Sequence, residues 1–119
     1  MKSEEKPISA QALKGHLDTL LLATLQAGPA HGYAIMERLR LQSLGTFDLP
    51  EGTIYPALYR LEQAGLLKSW WSKESARRRR VYTLTERGQA ALAQGTEQWR
   101  FFAQGVNALL FGKESPWQA

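Results

Sequence analysis

Four consecutive arginines, Arg77 to Arg80, are the most strongly charged feature of the sequence. Guanidinium groups stay charged at all physiological pH values, and their planar N–H donors match phosphate oxygens. Residues 66–82 hold six basic side chains against one acidic side chain, so this segment carries +5 and leaves −1 for the rest of a chain whose total is +4. Adjacent arginines repel one another and need an external anion or strong solvation. The segment is therefore typical of a polyanion-binding surface, the alternative being a solvated turn.

A second group of chemically useful side chains precedes the arginines by about twenty residues. Hydroxyl groups occur at Thr53, Tyr55 and Tyr59, and Arg60 follows. They fall off the apolar stripe of a predicted helix, which consists of Ile54, Ala57, Leu58 and Leu61. We expect the two tyrosines to form an exposed aromatic surface, unless the ring of Tyr59 or, less readily, Tyr55 packs on a neighbouring hairpin.

Side chains suited to catalysis or metal binding are few. His16 and His31 are fifteen residues apart, with no matching carboxylate spacing, and cysteine is absent. The sequence has no glycine-rich phosphate loop and no nucleophile elbow. It predicts no enzyme, no cofactor and no metal site. We expect His16 at a helix surface or interface, whereas His31 either reaches a phosphate or caps a helix.

Length and composition indicate one globular domain. The chain has 119 residues, of which 44% are hydrophobic and 22% charged. The apolar run 17–25 is too short to cross a membrane and contains Asp18. No signal peptide is evident, and the absence of cysteine fits a reducing compartment, so we expect a cytoplasmic protein.

Hydrophobic periodicity predicts three helices, a β-hairpin and a long last helix. Gly28 and Pro29 end the first helix, because proline cannot continue the hydrogen-bond ladder. Thr85 is a suitable N-cap for the last one. The predicted ranges are Ser9 or Ala10 to Ala27, His31 or Gly32 to Ser43, Pro50 to about Gly65, strands 66–73 and 78–84, and 85 to about 111, with flexible tails at residues 1–8 and 112–119.

The start of the third helix, the two adjacent tryptophans and the inner face of the second helix each carry a specific expectation. The third helix is expected to begin at Pro50 with a distorted first turn near Pro56, the alternative being an N-cap at Thr53. Adjacent Trp70 and Trp71 must point to opposite faces of their strand, so one should enter the core. The second helix is expected to face inward through Ala34, Ile35, Leu39 and Leu41.

The last helix carries a short heptad seam. Leu92, Trp99 and Val106 are seven residues apart, and Phe102 and Leu110 interleave with them. A seam on a terminal helix implies a partner, most simply a second copy, and Leu13 and Leu17 of the first helix are assigned to the same interface. The alternative is that the last helix folds back on the first helix of its own chain.

Three helices followed by a hairpin form the layout of a winged helix-turn-helix. Residue identities strengthen this interpretation, since the chain resembles the PadR family of transcriptional regulators. The resemblance rests on Leu13-Lys-Gly15, His31-Gly-Tyr-Ala-Ile35, Gly52-Thr-Ile-Tyr-Pro-Ala-Leu58 with Arg60-Leu-Glu62 and Gly65-Leu66, and Arg78-Arg-Arg-Val-Tyr-Thr-Leu-Thr-Glu86 followed by Gly88.

The resemblance implies a mostly α fold with a small β-hairpin (α+β). It implies a DNA-binding domain over residues 9–84 and a dimerisation helix over 85–111, acting as a homodimeric repressor on a double-stranded DNA operator. The alternative is a winged-helix module that binds a protein and no DNA. The predicted DNA contacts are His31, Tyr33, Thr53, Tyr55, Tyr59, Arg60, Lys73, Arg77, Arg78, Arg79 and Arg80.

The resemblance also implies a place for a small-molecule effector. In one drug-binding branch of the family, a tryptophan on the last helix lines a pore between protomers and stacks on flat aromatic compounds. Trp99 lies at a compatible position, although filling the dimer interface is the more ordinary role for a tryptophan on this seam. A planar aromatic or phenolic effector is therefore a further expected partner.

Overall fold

The computed structural model describes Leu13, residues 15–73 and residues 77–112. Within those residues, the fold consists of four helices and a three-stranded antiparallel sheet of order β1-β3-β2. The mostly α, α+β fold class is thereby confirmed. The elements are α1 (Leu17–Thr24) with a 3₁₀ turn (Leu25–Ala27), β1 (Ala30–His31), α2 (Gly32–Gln42), α3 (Glu51–Gln63), β2 (Leu67–Ser72), β3 (Arg79–Leu84) and α4 (Glu86–Phe111).

The core lies between the first three helices and the inner face of the sheet. Ile35 and Leu39 of α2 are buried as predicted, but Leu41 is 61% exposed, so its inward assignment is wrong. At 100° per residue, Leu41 falls about 240° around the helix from Ile35, whereas Leu39 falls only about 40° away. The predicted inner face of α3 is confirmed, since each of its members is at most 2% exposed: Ile54, Ala57, Leu58 and Leu61.

The first helix is shorter than predicted. It begins at Leu17, because Gly15 adopts a left-handed conformation (φ 93°) and the His16 amide closes a turn onto the Leu13 carbonyl at 2.7 Å. A continuous helix from Ser9 or Ala10 is therefore wrong. The predicted tails at 1–8 and 112–119 lie outside the described residues except for Gly112, which is the C-cap residue of the last helix.

A two-residue strand, β1, was not predicted. Ala30 pairs with Tyr82 and His31 with Val81, which ties the start of α2 to β3. A segment this short shows no alternating pattern in the sequence. Arg38 secures the chain just before it, donating hydrogen bonds to the carbonyls of Thr24 at 3.0 Å and Gly28 at 2.8 Å.

The third helix starts early, as expected. Pro50 is its N-cap residue, and the Thr53 amide donates to the Pro50 carbonyl at 2.9 Å. Thr53 therefore lies within the first turn, so the alternative that it caps the helix is wrong. Pro56 lies inside the helix, where the missing N–H removes one bond of the ladder.

The two tryptophans of the hairpin depart from expectation. Trp70 and Trp71 are 44% and 49% exposed, so the prediction that one of them enters the core is wrong. They do lie on opposite faces, since Trp70 pairs with Val81 and Trp71 with Arg80. Trp71 shares its face with the buried Leu67 but lies four residues further out, beyond the edge of the core.

The last helix packs on α1 over its N-terminal half. The Thr85 hydroxyl accepts the Gly88 amide at 3.0 Å, which confirms the predicted N-cap. Gly95 lies directly against Thr19, so the alternative in which the helix folds back on its own chain holds for this half. Apolar side chains of the C-terminal half are exposed: Trp99, Phe101, Phe102, Leu109, Leu110 and Phe111.

Candidate nucleic-acid interface

A cleft of about 560 Å³ lies between the N-terminal ends of α2 and α3 and the hairpin residues Trp71 and Arg77 to Arg80. Among the described residues, its lining holds four guanidinium groups and one carboxylate, which makes this part of the cleft cationic. The N-terminal ends of helices add positive potential and unpaired amides, which favour anions. The lining residues are His31, Gly32, Tyr33, Glu51, Tyr55, Trp71, Arg77, Arg78, Arg79 and Arg80.

His31 connects the helices to the hairpin. Its Nδ1 accepts the Ala34 amide at 3.3 Å as the N-cap of α2, and its Nε2 lies 2.8 Å from Nη1 of Arg79. Both ring nitrogens therefore face N–H donors. A neutral imidazole can accept only one such hydrogen bond, and a protonated imidazolium can accept neither. Burial, and then the positive charges of Arg79 and Arg38, lower the pKa of His31, which keeps the ring neutral.

Tyr55 is positioned by the close approach of α3 to α2. Its phenol lies over Gly32, and its ring remains 40% exposed toward the cleft. Burial, and then the nearby carboxylate of Glu51, raise the pKa of Tyr55. The hydroxyl therefore stays protonated and can donate a hydrogen bond to a phosphate or a base edge.

The arginines of the hairpin have partners within the chain. The guanidinium carbons of Arg78 and Arg80 lie 4.7 and 5.4 Å from the ring centroid of Trp71. Arg80 also contacts the Glu62 carboxylate at 3.4 Å, and this carboxylate accepts a hydrogen bond from Ser69 at 2.7 Å. All four arginines are also exposed to solvent, so the expectation of strong solvation is compatible with the structure, and the π face of Trp71 and the Glu62 carboxylate accommodate part of the charge.

Comparison with known proteins matches residues 21–94 to the model of the transcriptional regulator PadR-like family. The chain belongs to this family. A transcriptional regulator from Clostridium thermocellum is 31% identical, with a TM-score of 0.78 over 87% of this chain and 98% of that one. A PadR family regulator from Clostridium difficile is 35% identical, with a TM-score of 0.71 over 81% of this chain and 99% of that one. A transcriptional regulator from Mycobacterium tuberculosis is 51% identical over 48 residues, which are 40% of this chain and 45% of that protein.

The PadR-like chain therefore has the winged-helix fold of a transcriptional regulator, with the β2–β3 hairpin as its wing. Its family and its structural neighbours are regulators of transcription. No helix in the described part of the chain has the length and apolarity that a bilayer crossing requires.

Some predicted DNA contacts of this PadR-like protein lie outside the cleft. Thr53 is half-buried on α3, while Lys73 is exposed at the end of β2. Tyr59 is 64% exposed, so it does not pack its ring onto the hairpin. Arg60 forms an ion pair with Asp18 of α1, which a phosphate would have to displace. The cleft collects the others: His31, Tyr33, Tyr55 and Arg77 to Arg80.

Three residues of the cleft were missed by sequence reasoning: Gly32, Glu51 and Trp71. Gly32 belongs to the family motif, but its role depends on the ring of Tyr55, which comes from another helix. Trp71 could have been found from the pairing register, because residues directly opposite on a hairpin share a face. That register depends on a turn whose geometry the residue types alone did not define.

The residues assigned to a dimer interface fall into three groups. Leu13 and Leu92 are buried in the core of their own chain, with only 5% and 6% of their surface left exposed. Leu17 and Val106 are half-buried. The remaining three are exposed: Trp99, Phe102 and Leu110.

Trp99 belongs to a cluster of three rings. Its ring centroid lies 5.4 Å from that of His16, edge to face, and 5.7 Å from that of Phe102. His16 and Phe102 are 6.1 Å apart. The cluster leaves about half of Trp99 and half of Phe102 exposed, so it presents aromatic surface to a second molecule.

Proposed function

We propose that this PadR-like protein is a homodimeric repressor that binds a double-stranded DNA operator through the cationic cleft and the exposed side of α3. The supporting observation is that the wing arginines, the Tyr55 hydroxyl and the N-terminal end of α2 line one cleft. Arginine and hydroxyl donors at helix N-termini are the groups that proteins use to bind DNA phosphates. Repression follows where the occupied operator overlaps a promoter.

In this proposal α3 enters the major groove and the wing follows the backbone beside it. Tyr59 and Thr53 lie on the same helix as Tyr55 and extend the contact beyond the cleft. The wing arginines bind phosphates or enter the adjacent minor groove. Two reading helices in a symmetric dimer would recognise half-sites about one turn of DNA apart, roughly 34 Å.

The exposed apolar surface of α4 supports the homodimer. Phe101, Leu109, Leu110 and Phe111 expose more than half of their surface in the single chain. Large apolar side chains exposed in this number at one end of a helix are typical of an interaction site. Pairing of α4 with a second copy would cover it and would fix the distance between the two reading helices.

Salt-dependent binding to the DNA that flanks the protein's own gene tests the proposal. Fluorescence anisotropy of a labelled duplex should show a sequence-preferring complex that weakens as salt rises. Replacing Arg78, Arg79 and Arg80 by Ala should lower the affinity and reduce the log–log salt slope by about 0.9 for each lost phosphate contact. Arg100→Ala is a matched control, since Arg100 is an exposed arginine of α4 that pairs with Glu97.

Two outcomes would contradict the proposal. A triple variant with the affinity and salt slope of the wild type would show that the wing does not touch DNA. Absence of any wild-type complex at low salt would favour the alternative, a winged-helix module whose basic hairpin binds an acidic protein. Loss of promoter repression in a reporter strain that lacks the gene would establish the direction of regulation.

The ring cluster around Trp99 supports an effector that releases the operator. Trp99 and Phe102 offer flat apolar faces, and planar aromatic compounds stack on such faces at ring distances of about 4.5–7 Å. Ring compounds, phenols among them, should therefore quench the tryptophan fluorescence and weaken operator binding. Both responses should be lost in Trp99→Phe, while Trp70→Phe should keep them; unchanged quenching in Trp99→Phe would place the effector elsewhere.

A further inference from the structure

Trp71 occupies a different position from its neighbour Trp70, although the two are exposed to a similar extent. Trp71 lies in the cationic cleft, directly across the hairpin from Arg80. Trp70 points to the opposite face, across from Val81. The guanidinium groups of Arg78 and Arg80 both lie within cation–π distance of the Trp71 ring.

We propose that Trp71 is a positioning residue of the wing, which holds Arg78 and Arg80 in place for the DNA backbone. This inference rests on the proposed function. A free arginine side chain samples many rotamers, and this freedom is lost when it binds a phosphate. A ring that already orders two arginines reduces that loss on binding.

An indole suits this role better than a carboxylate would. A carboxylate fixes an arginine by neutralising it, and it also repels the incoming phosphate. The π face attracts the flat side of a guanidinium and leaves its charge and its N–H edge available. Arg80 shows both kinds of contact, since it lies near Trp71 and also pairs with Glu62. Arg78 lies closer to the Trp71 ring than Arg80 does, at 4.7 Å.

A comparison of Trp71→Leu with Trp70→Leu tests the role of the ring. Both variants remove a half-exposed tryptophan from β2 and leave the net charge unchanged. We expect Trp71→Leu to weaken operator binding about 5- to 30-fold, as the loss of two cation–π contacts implies. Trp70→Leu should change the affinity less than about twofold, and Trp71→Phe should recover part of the loss because a smaller π face remains.

The salt dependence separates positioning from charge. Because Trp71→Leu keeps every arginine, its log–log salt slope should match that of the wild type, unlike the slope of the arginine variants. A double-mutant cycle of Trp71→Leu and Arg78→Ala adds a measurement that would not change if Trp71 had only a structural role. Arg78→Ala should cost less affinity in the Trp71→Leu background than in the wild type, because the arginine is then no longer preorganised.

The outcomes that overturn this inference differ from those that overturn the proposed function. If the wild type binds the operator and Trp71→Leu binds equally well, the positioning role fails and the proposed function stands. Equal losses in Trp71→Leu and Trp70→Leu, or additive effects of Trp71→Leu and Arg78→Ala, also overturn it. If the wild type forms no complex, both fail. Should Trp71→Leu fold poorly, Trp71→Phe and its cycle with Arg78→Ala decide the question.

Discussion

The ring of Tyr55 lies on the backbone of Gly32, where no other residue would fit without displacing it. A β-carbon on residue 32 would lie 2.3 Å from Cε1 of Tyr55 and 2.5 Å from its hydroxyl oxygen. Gly32 begins α2 and Tyr55 lies in α3, so this contact fixes how the two helices meet at the cleft. The phenol itself can rotate away, because it is the far end of a flexible side chain.

Gly32→Ala should therefore weaken operator binding while the protein stays folded. We expect the displaced phenol to lose a charge-assisted hydrogen bond, which would cost about 1.5–3 kcal/mol of binding free energy. Operator titrations by fluorescence anisotropy measure this loss. In a Tyr55→Ala background, Gly32→Ala should cause little further loss of operator affinity, because its effect acts through the Tyr55 ring. Fully additive losses of affinity in the double variant would contradict this explanation.

His31 should make the protein less stable in mild acid. Burial and the charges of Arg79 and Arg38 lower the pKa of His31 below the value of about 6.5 that it has in the unfolded chain. Between these two pKa values the unfolded state binds more protons, so the free energy of unfolding falls as the pH falls. The stabilisation is present in full above pH 6.5 and is lost progressively on acidification.

Urea unfolding of the wild type and of His31→Asn at several pH values between 5 and 8 checks this prediction. Asparagine can still accept the Ala34 amide as an N-cap, but it does not titrate. The difference in the free energy of unfolding between the two proteins should change with pH, the wild type losing more stability in acid. A difference that is constant with pH would show that His31 has the same pKa in both states.

Gly88 should tolerate no side chain. A β-carbon there would lie 2.0 Å from the carbonyl oxygen of Leu66, a backbone atom that also accepts the Thr85 amide. Gly88→Ala should therefore lower the free energy of unfolding by about 1–3 kcal/mol or more, as overpacking does. Gly105→Ala is the matched control in the same helix, with no atom within 4 Å of its β-carbon, and it should be neutral or stabilising. Similar chemical denaturation midpoints for the two variants would refute the close approach.

A charge on the exposed seam of α4 should separate the proposed dimer. Leu110 is 68% exposed in the single chain, and Leu110→Glu would bury an unpaired carboxylate if this surface meets a second copy. Sedimentation velocity should show a monomer, and operator affinity should fall because two half-sites are no longer bound together. Leu41→Glu places the same charge on an exposed leucine of α2 and should leave the assembly unchanged. A Leu110→Glu protein that sediments like the wild type would place the interface elsewhere.

Local patterns in the sequence were sufficient for the elements whose signals are local. The apolar stripe of α3, the N-cap at Thr85 and the break at Gly28 and Pro29 each depend on residues a few positions apart, and each is present in the structure. The start of α1 was missed because a left-handed glycine, Gly15, can end a helical pattern that its neighbours would otherwise continue. Strand β1 was missed because it exists only through its pairing with β3.

By itself, the sequence determined that a basic hairpin follows a helix with outward hydroxyls, since charge and hydrophobic periodicity can be read directly from the order of residues. Only the tertiary structure decided which of these groups meet. It brought the Tyr55 ring onto Gly32, the Arg79 guanidinium beside His31, and two arginines onto Trp71 rather than Trp70. Such contacts depend on strand register and on the approach of helices distant in sequence. A shift of one residue in the register of β2 would have exchanged the faces on which the two tryptophans lie.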